Sequence, residues 1–531
     1  MGFKPLNVAL PHEVPPPAHA EESHIPGKCK GKGNVVPFPA KANSPVGGVG
    51  RKQGLSTMFV ASVNPNPDLP EFVVLNPDDK QNARLVYRWN GHIWKHQDHE
   101  FLIDRALEFL EVQEPEKAEE AVAMGIARTA ARMFGIHKHT LPKAADNIVI
   151  AVNQGYLVEQ QGRWRLVPPA RAWGVTQQID ADIDMARVDQ DGYYIPRENP
   201  PEGSVFANYL FSAQPDEDVR EVLRECTAST LMLDCNHQRM FWMWGEGSNG
   251  KSTYYDLLER LVGDGYTPLN INYLSKDFGA ECVVGATCLV ASESPKKDWP
   301  HDKIKQITGG DAMSIPRKHA QSIKYRPKLR LWAAMNRLPN SSDHSNGWRR
   351  RIVMVPWTQR FEGARKDDQL SRRLLTSTEF GHFLDWVLVG ISRIAARPGR
   401  SFRSDAELPA ACLEPIDKLT TDNNSVAAWM DEVGTINFDS DKPRYFVSRA
   451  AVHQVYAEWC RSVGRQSMND ANFWSEVQSL VKKPLRVIRP IIEGAKRRYV
   501  AMECELQWLD SHSLAHEKDF LLFSKHEHRL K

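Results

Sequence analysis

One stretch of the chain has the residue types and the spacing of a phosphate-binding loop. Residues 241–261, FWMWGEGSNGKSTYYDLLERL, contain the pattern G-x-x-x-x-G-K-[S/T] between an apolar run and a run of helical character. Glycines let backbone N–H groups turn toward phosphate oxygens, and the N-terminus of the following helix adds partial positive charge. The residues predicted to bind ATP are Gly245, Glu246, Gly247, Ser248, Asn249, Gly250, Lys251, Ser252 and Thr253.

Two side chains of this loop and one carboxylate further along the chain have predicted roles in hydrolysis. Lys251 would contact the β and γ phosphates, and Ser252 would ligate Mg²⁺. A nucleoside triphosphatase also needs a carboxylate on a neighbouring strand to position Mg²⁺ and the attacking water. Glu293 follows the apolar run CLVAS and is the predicted carboxylate and second Mg²⁺ ligand. The alternative is a surface glutamate without a role in catalysis.

Two further groups follow predicted strands. The run LRLWAAM ends at Asn336, which would sense the γ phosphate or orient the water, although an asparagine in this position is often only a turn former. Three arginines at 349–351 precede the run IVMVPW. An arginine run is usually a solvated face. From this position it would need a long reach to its own phosphate site, whereas it could reach the site of a neighbouring subunit.

A basic hairpin is predicted between Glu293 and Asn336. The segment KIKQITGGDAMSIPRKHAQSIKYRP has cationic residues in its middle, flanked by two runs of strand character. A mobile surface loop is the alternative. The residues predicted to contact the phosphates of a threaded DNA strand are Arg317, Lys318, His319 and Lys324.

The order of these motifs resembles the superfamily 3 helicases of the phage and plasmid primase-helicase family, relatives of the poxvirus primase-helicase. The resemblance runs from about Ala145 to Cys504 and is most specific between Gly245 and Pro356. The matching positions are Gly245 to Thr253, Glu293, Lys305, Thr308 to Asp311, Asn336, Asp343, Gly347, Arg350 and Arg351.

The resemblance implies a motor that uses ATP and Mg²⁺, encloses single-stranded DNA as a hexameric ring and moves 3′ to 5′. It also implies an arginine finger that completes the ATP site of the next subunit. Arg351 is the favoured finger and Arg350 the second choice, because an extra arginine, Arg349, leaves the alignment open. Family members often carry a primase in front, and none is evident in this sequence, so a separate primase is an expected partner.

The composition narrows the classes of protein that need to be considered. The chain has 531 residues, of which 41% are apolar, and this predicts about three or four domains. No run has the length and apolarity of a membrane helix, and the first residues lack the pattern of a signal peptide. Eight cysteines without a CxxC pair are typical of a reducing compartment, so we expect a cytoplasmic protein, and the resemblance implies a bacterial host. The net charge of +2 means that a nucleic-acid surface has to be a local patch.

The pattern of apolar runs and turn residues divides the chain into seven predicted segments. The predicted fold class is α/β: a P-loop ATPase core with a parallel sheet flanked by helices, an N-terminal α+β domain and a C-terminal winged-helix-like domain. The resemblance implies that the sheet is AAA+-like. The segments are a disordered Pro/Gly-rich arm (1–54), a small α+β domain (55–190), a helical collar (191–235), the ATPase core (236–361), a helical segment with a polar linker (362–444), the winged-helix-like domain (445–505) and a C-terminal tail (506–531).

Two other features have competing interpretations. Asp180, Asp182 and Asp184 alternate as metal ligands of a primase do, but no apolar strand leads into them, so a solvated acidic loop is the preferred interpretation. In the last domain, two helices and the basic segment 482–498 predict contact with duplex or origin DNA, and a protein-docking module is the alternative.

The predicted function is an ATP-dependent DNA helicase in the replication of a phage, prophage or plasmid. One rival is a replication initiator that does not unwind DNA and uses ATP as an assembly switch. A second rival is a small-molecule P-loop kinase, against which the basic hairpin and the arginine run both argue.

Overall fold

A computed structural model describes the chain from Arg51 to His526 with several gaps. The described residues are 51–75, 85–142, 147–232, 237–293, 299–317, 320–336, 343, 345–433, 436–465, 467–481, 483–492, 495–503 and 520–526. The predicted arm therefore lies outside the described residues up to position 50. Helix α1 (Arg51–Val63) begins within the last four residues of the range predicted as arm.

The N-terminal part of the chain forms two small antiparallel sheets. The first sheet packs against helices through buried aromatic side chains such as Phe59, Phe72 and Phe109. Its elements are β1 (Phe72–Val74), β2 (Val86–Trp89), β3 (Trp94–Gln97), α2 (His99–Gln113) and α3 (Glu120–Ile136). The second sheet consists of β4 (Val149–Val152), β5 (Gly155–Gln160), β6 (Arg163–Val167) and β7 (Tyr193–Tyr194).

Two helices then lead to the central sheet. They are α4 (Val205–Ala213) and α5 (Glu217–Leu231), within the segment predicted as a helical collar. Side-chain oxygens of Ser204 and Asp216 cap their N-termini and accept hydrogen bonds from first-turn N–H groups.

The central sheet has five parallel strands in the order β14-β8-β13-β10-β9. Four of them are the apolar runs predicted as buried strands, and β9 was not predicted. Both faces are covered by hydrophobic clusters, which is why the strands are apolar at successive positions. The strands are β8 (Met240–Trp244), β9 (Tyr266–Pro268), β10 (Cys288–Ala291), β13 (Arg330–Met335) and β14 (Ile352–Pro356).

The elements between these strands lie on the two faces of the sheet and beyond its ends. Helix α6 (Lys251–Val262) follows β8, and α7 (His301–Gly309) leads into a two-stranded antiparallel hairpin. The hairpin consists of β11 (Met313–Arg317) and β12 (Ala320–Tyr325), and the short helix α8 (Asn346–Arg349) precedes β14.

Helices follow the sheet as far as residue 433. The helical segment predicted after the core contains α9 (Leu370–Leu374) and α10 (Ser377–Ala396). The part of this segment predicted as a polar linker is largely helical instead. It contains α11 (Ala410–Asn423) and α12 (Ser425–Val433), because apolar residues such as Ile416, Val426 and Trp429 are buried against neighbouring elements.

The last domain combines two helices with a four-stranded sheet in the order β16-β19-β15-β20. Strand β20 lies in the range predicted as a tail and pairs with β15, so the domain extends beyond its predicted end at 505. Its elements are β15 (Tyr445–Ser448), α13 (Arg449–Ser462), α14 (Asp470–Leu480), β16 (Val487–Ile488), β17 (Ile491–Ile492), β18 (Ala495–Lys496), β19 (Tyr499–Met502), β20 (Phe520–Leu522) and α15 (Phe523–His526).

Candidate functional site

The predicted phosphate loop connects the C-terminal end of β8 to the first turn of α6. Two of its residues have positive φ, Ser248 at 59° and Gly250 at 89°. Gly245 is constrained differently, since a Cβ atom there would lie 2.0 Å from the carbonyl oxygen of Trp357. The same carbonyl accepts a hydrogen bond from Asn249 Nδ2 at 3.1 Å. The loop is therefore folded around the chain segment that follows β14.

The first turn of α6 presents backbone N–H groups at the end of this loop. The helix begins at Lys251, and Tyr254 donates its N–H to the Gly250 carbonyl at 3.0 Å. The N–H groups of the first turn have no acceptor within their own helix. Together with the helix dipole they form a suitable site for anionic phosphate.

Lys251 is buried beneath the loop. Its Nζ donates to the carbonyl oxygen of Gly245 at 2.5 Å and to that of Glu246 at 3.3 Å, and it lies 3.4 Å from Asn336 Oδ1. Burial lowers the pKa of Lys251 to about 8. These oxygens are neutral, so the ammonium group is held in place without a carboxylate partner among the described residues.

The predicted catalytic residues Glu293 and Asn336 lie at the same edge of the sheet as the loop. Ala291 is in register with Ala333, and Met335 with Trp244, so both residues come directly beyond the aligned strand ends. Both are exposed. The expectation of a carboxylate on the neighbouring strand is wrong, because β13 lies between β8 and β10. We call this region the carboxyl edge: Gly245–Thr253, Glu293 and Asn336.

The predicted hairpin is present, whereas its tip lies outside the described residues. Ser314 pairs with Lys324 and Ile315 with Ile323, with an irregularity before Arg317 pairs with Ala320. Lys324 is exposed. Lys318 and His319 are not described, nor is the side chain of Arg317, so their roles in DNA binding remain predictions.

The arginines lie at the opposite edge of the sheet from the loop. Ile352 is in register with Met240, so Arg350 and Arg351 come just before the strand ends that are farthest from Gly245. Five residues of strand separate the two edges, which corresponds to about 17 Å. Neither guanidinium can complete the phosphate site of its own subunit from this position.

Arg351 is buried and donates a hydrogen bond from each of its three side-chain nitrogens, which argues against its role as the favoured finger. Nε donates to Thr308 Oγ1 at 3.2 Å, Nη2 to Gln238 Oε1 at 2.9 Å, and Nη1 to the Gly347 carbonyl. Moving it toward the site of a neighbouring subunit would break all three hydrogen bonds. The preference for Arg351 is therefore replaced by one for Arg350.

Arg350 is exposed and lines a cavity of about 450 Å³ together with Arg239 and Arg403. Its Nη2 donates to Gln238 Oε1 at 2.6 Å. Within the described part of the chain no carboxylate pairs with it, so its charge is available to an anion from outside the subunit. We call residues 343–351 the arginine turn.

Contacts from distant parts of the chain also support the loop, and no local sequence pattern indicates them. The hydroxyl of Tyr209 on α4 donates to the Gly250 carbonyl at 2.8 Å. Gln214 Nε2 donates to the Pro356 carbonyl at 2.9 Å, just before the residue on which the loop rests. A tyrosine in an apolar helix has no local pattern that indicates such a contact.

The aspartates at 180–184 have polar partners. Asn153 Nδ2 lies 3.3 Å from Asp180 Oδ1 and 3.2 Å from Asp182 Oδ1, and Asp184 pairs with Arg197 at 2.7 Å. Across the described residues, no group of three or more His, Cys, Asp or Glu side chains has the geometry to hold a metal ion.

The residues of the carboxyl edge fit a magnesium–nucleotide complex. The Ser252 hydroxyl is exposed at the start of α6, and Glu293 is exposed at the end of β10. Hydroxyl and carboxylate oxygens are the ligands that Mg²⁺ prefers. These two residues would hold the ion, which when bound would neutralise phosphate charge.

Among the described helices, none is long and apolar enough to cross a membrane.

Part of the chain is similar in sequence to a candidate helicase of a virus. Residues 243–351 match a family described as "Family of unknown function (DUF5906)". A segment of 164 residues is 24% identical to L207/L206, a candidate helicase of Acanthamoeba polyphaga mimivirus. The chain is distantly related to a helicase-type protein. The match covers 29% of this chain and only 17% of the viral protein.

Solved structures of the C-terminal region of NrS-1, in its apo form, also align with the chain. Three such structures are 10%, 11% and 10% identical, with TM-scores of 0.37, 0.36 and 0.38. The alignments cover 66–67% of this chain and 95–96% of those chains. Scores at this level carry no conclusion about function.

Proposed function

We propose that this chain is an ATP-dependent DNA helicase of superfamily 3 that acts in the replication of a phage, prophage or plasmid. The main support is the carboxyl edge, where the loop around Lys251, the amide of Asn336 and the carboxylate of Glu293 lie at aligned ends of three parallel strands. Ligands of open α/β sheets bind at such strand ends. The distant relationship to a viral helicase points to the same class of protein.

Each residue of this edge has a proposed task in hydrolysis of ATP. Backbone N–H groups of the loop and the ammonium of Lys251 bind the triphosphate, and Ser252 and Glu293 hold Mg²⁺. The carboxylate of Glu293 also orients the attacking water, while the Asn336 amide contacts the γ phosphate. Catalysis of phosphoryl transfer depends mainly on such positioning and charge stabilisation.

The remaining parts of the proposal concern assembly and DNA. Arg350 reaches the ATP of the next subunit in a ring, which we propose to be a hexamer. The hairpin carries Arg317, Lys318, His319 and Lys324 against the phosphates of single-stranded DNA in the channel. The C-terminal domain contacts duplex or origin DNA, a separate primase supplies primers, and the protein works in the cytoplasm of a bacterial host.

The decisive experiment combines ATPase rate, strand displacement and mass in solution. The parent protein is measured with and without single-stranded DNA and on a forked duplex, together with Glu293→Gln. We expect DNA-stimulated hydrolysis, unwinding and a ring-sized mass for the parent. The glutamine variant should bind ATP without turnover, because it keeps the shape of the site and removes the carboxylate.

Two other outcomes would contradict parts of this proposal. ATP-dependent assembly on duplex DNA without strand displacement would identify a replication initiator. Hydrolysis by Glu293→Gln at the parental rate would remove Glu293 from the mechanism.

A further inference from the structure

Helix α7 links the arginine turn to the predicted DNA-binding hairpin. It ends at Gly309, and β11 begins at Met313. His301, Lys305 and Thr308 are separated by four and three residues, so they share one face of the helix. All three contact the arginine turn.

The first polar contact of this face is an ion pair between Lys305 and Asp343. The side chains are only 26% and 16% exposed, respectively, so the pair is partly shielded from water. Lys305 Nζ also donates to Ser345 Oγ at 3.2 Å, and Ser345 donates its N–H to Asp343 Oδ1 at 2.9 Å. The lysine therefore binds two residues of the turn at once.

The second polar contact lies one helical turn further along. Arg351 Nε donates to Thr308 Oγ1 at 3.2 Å. The Thr308 hydroxyl donates in turn to the Ile304 carbonyl at 2.7 Å, within α7. The guanidinium at the end of the arginine turn is thus bonded to the end of α7 that is nearest the hairpin.

An aromatic contact fixes the other end of the helix. The His301 ring lies 4.4 Å from the Trp348 ring, and the Trp348 ring lies 6.2 Å from that of Trp242 on strand β8 of the central sheet. Three contacts along one face of α7, at positions 301, 305 and 308, therefore join it to the turn over its whole length.

An adjoining face of α7 makes apolar contacts through Ile304 and Ile307. Hydrophobic contact is not directional, so it constrains the axial position of the helix less than a hydrogen bond or an ion pair does. The polar contacts of Lys305 and Thr308 specify the axial position of the helix. Burial raises the pKa of Asp343, and its hydrogen bonds with Lys305 and Ser345 more than compensate, so that the carboxylate stays ionised.

We propose that α7 is a strut that transmits movement of the arginine turn to the DNA-binding hairpin, with Lys305, Asp343 and Arg351 as positioning residues. This inference rests on the proposed function, in which Arg350 contacts the ATP of the neighbouring subunit. A change at that ATP displaces the turn, and the ion pair carries the displacement to the hairpin. Lys305 thereby couples the ATP site to the hairpin, although it contacts neither ATP nor DNA itself.

The test compares Lys305→Asp, Asp343→Lys and the double variant that reverses the ion pair. Lys303→Asp is the matched control, since Lys303 is exposed on the same helix. ATPase is measured with and without single-stranded DNA, and amide hydrogen exchange is followed over residues 301–325. We expect each single variant to lose about threefold to thirtyfold in the ratio of DNA-stimulated to basal ATPase, with faster exchange. The double variant should recover both properties, and Lys303→Asp should resemble the parent.

The two readouts separate failure of the strut from failure of the proposed function. Parental DNA stimulation in both single variants would overturn the strut and leave the helicase intact. A parent without DNA-stimulated ATPase would overturn the proposed function, and the coupling role with it. In that case, faster exchange in the single variants, with recovery in the double variant, would still establish the structural link. Unchanged exchange would refute it as well.

Discussion

The two ends of strands β8 and β14 are built in different ways. At the carboxyl edge, the loop presents backbone groups and exposed side chains such as Ser252, Glu293 and Asn336. At the other end, which we call the amino edge, Gln238 lies between Arg350 and Arg351 and bonds to both. The groups of the carboxyl edge are open to a ligand. At the amino edge the side chains bond to one another, and only Arg350 is exposed beside a cavity. In the proposed motor, ATP binds at the carboxyl edge of one subunit and contacts Arg350 at the amino edge of the next.

The largest expected effect is the loss of hydrolysis in Arg350→Ala. An arginine donated to the ATP of the next subunit contributes about 10³ to 10⁵ in rate in well-characterised cases. Arg350→Ala should therefore be inactive alone. It should recover activity when mixed with Lys251→Ala, because some interfaces then pair an intact loop with an intact arginine. ATPase is measured across mixing ratios under conditions of subunit exchange.

The control for this experiment is a mixture of Lys251→Ala with Glu293→Gln. Both changes damage the carboxyl edge of their own subunit, so no interface contains a complete site and no ratio should restore activity. Recovery with Arg351→Ala instead of Arg350→Ala would show that the buried arginine leaves its contacts in the ring. It would also break the distinction between the two edges.

The sequence predicted where the residues of the carboxyl edge lie relative to their strands, because that information is local. A phosphate loop is nine consecutive residues, and Glu293 and Asn336 are marked by the apolar strands before them. The amino edge depends on contacts between distant positions, such as Gln238 with Arg351 and Lys305 with Asp343. An arginine run gives no sign of which member is buried. For the same reason the sequence missed the short strand β9 and the return of β20.

The next effect in size concerns the stability of the amino edge. Glu225 is fully buried and accepts hydrogen bonds from Arg397 and Arg403, the latter of which lines the cavity beside Arg350. Removing one member of a buried pair typically costs about 3–5 kcal/mol. Glu225→Gln should lower the free energy of unfolding by about 3 kcal/mol, measured by urea denaturation, since the amide keeps the shape but not the charge. Glu217→Gln, at an exposed position on the same helix, is the control.

The carboxylate of Glu225 should also make the free energy of unfolding depend on pH. Burial raises the pKa of Glu225, but the hydrogen bonds from Arg397 and Arg403 outweigh it and hold the pKa below its ordinary value. A group with a depressed folded pKa stabilises the protein above its unfolded pKa, and this contribution is lost as the pH falls through the folded value. The difference between parent and Glu225→Gln should therefore shrink in acid. A constant difference down to pH 3 would contradict the assignment.

At the carboxyl edge, the pH dependence should appear in ATP affinity and have the opposite direction. Burial lowers the pKa of Lys251 to about 8, and a bound triphosphate would raise it. The complex then holds more protons than the free protein, so affinity should fall as the pH rises above 8, approaching tenfold per pH unit. Titration calorimetry on Glu293→Gln avoids hydrolysis. Adding Lys251→Arg should abolish the slope, because the guanidinium remains charged.

The smallest expected effect tests how strongly the carboxyl edge depends on contacts from distant parts of the chain. Tyr209→Phe removes the hydrogen bond to the Gly250 carbonyl and keeps the ring that packs on Gly250. A neutral hydrogen bond contributes about 0.5–1.5 kcal/mol, and Tyr254 still donates to the same carbonyl. ATP affinity should therefore fall by about threefold, with Tyr273→Phe, at an exposed position, as the control. A loss of a hundredfold would mean that a helix distant in sequence determines the shape of the loop. The carboxyl edge would then depend on tertiary contacts as strongly as the amino edge does.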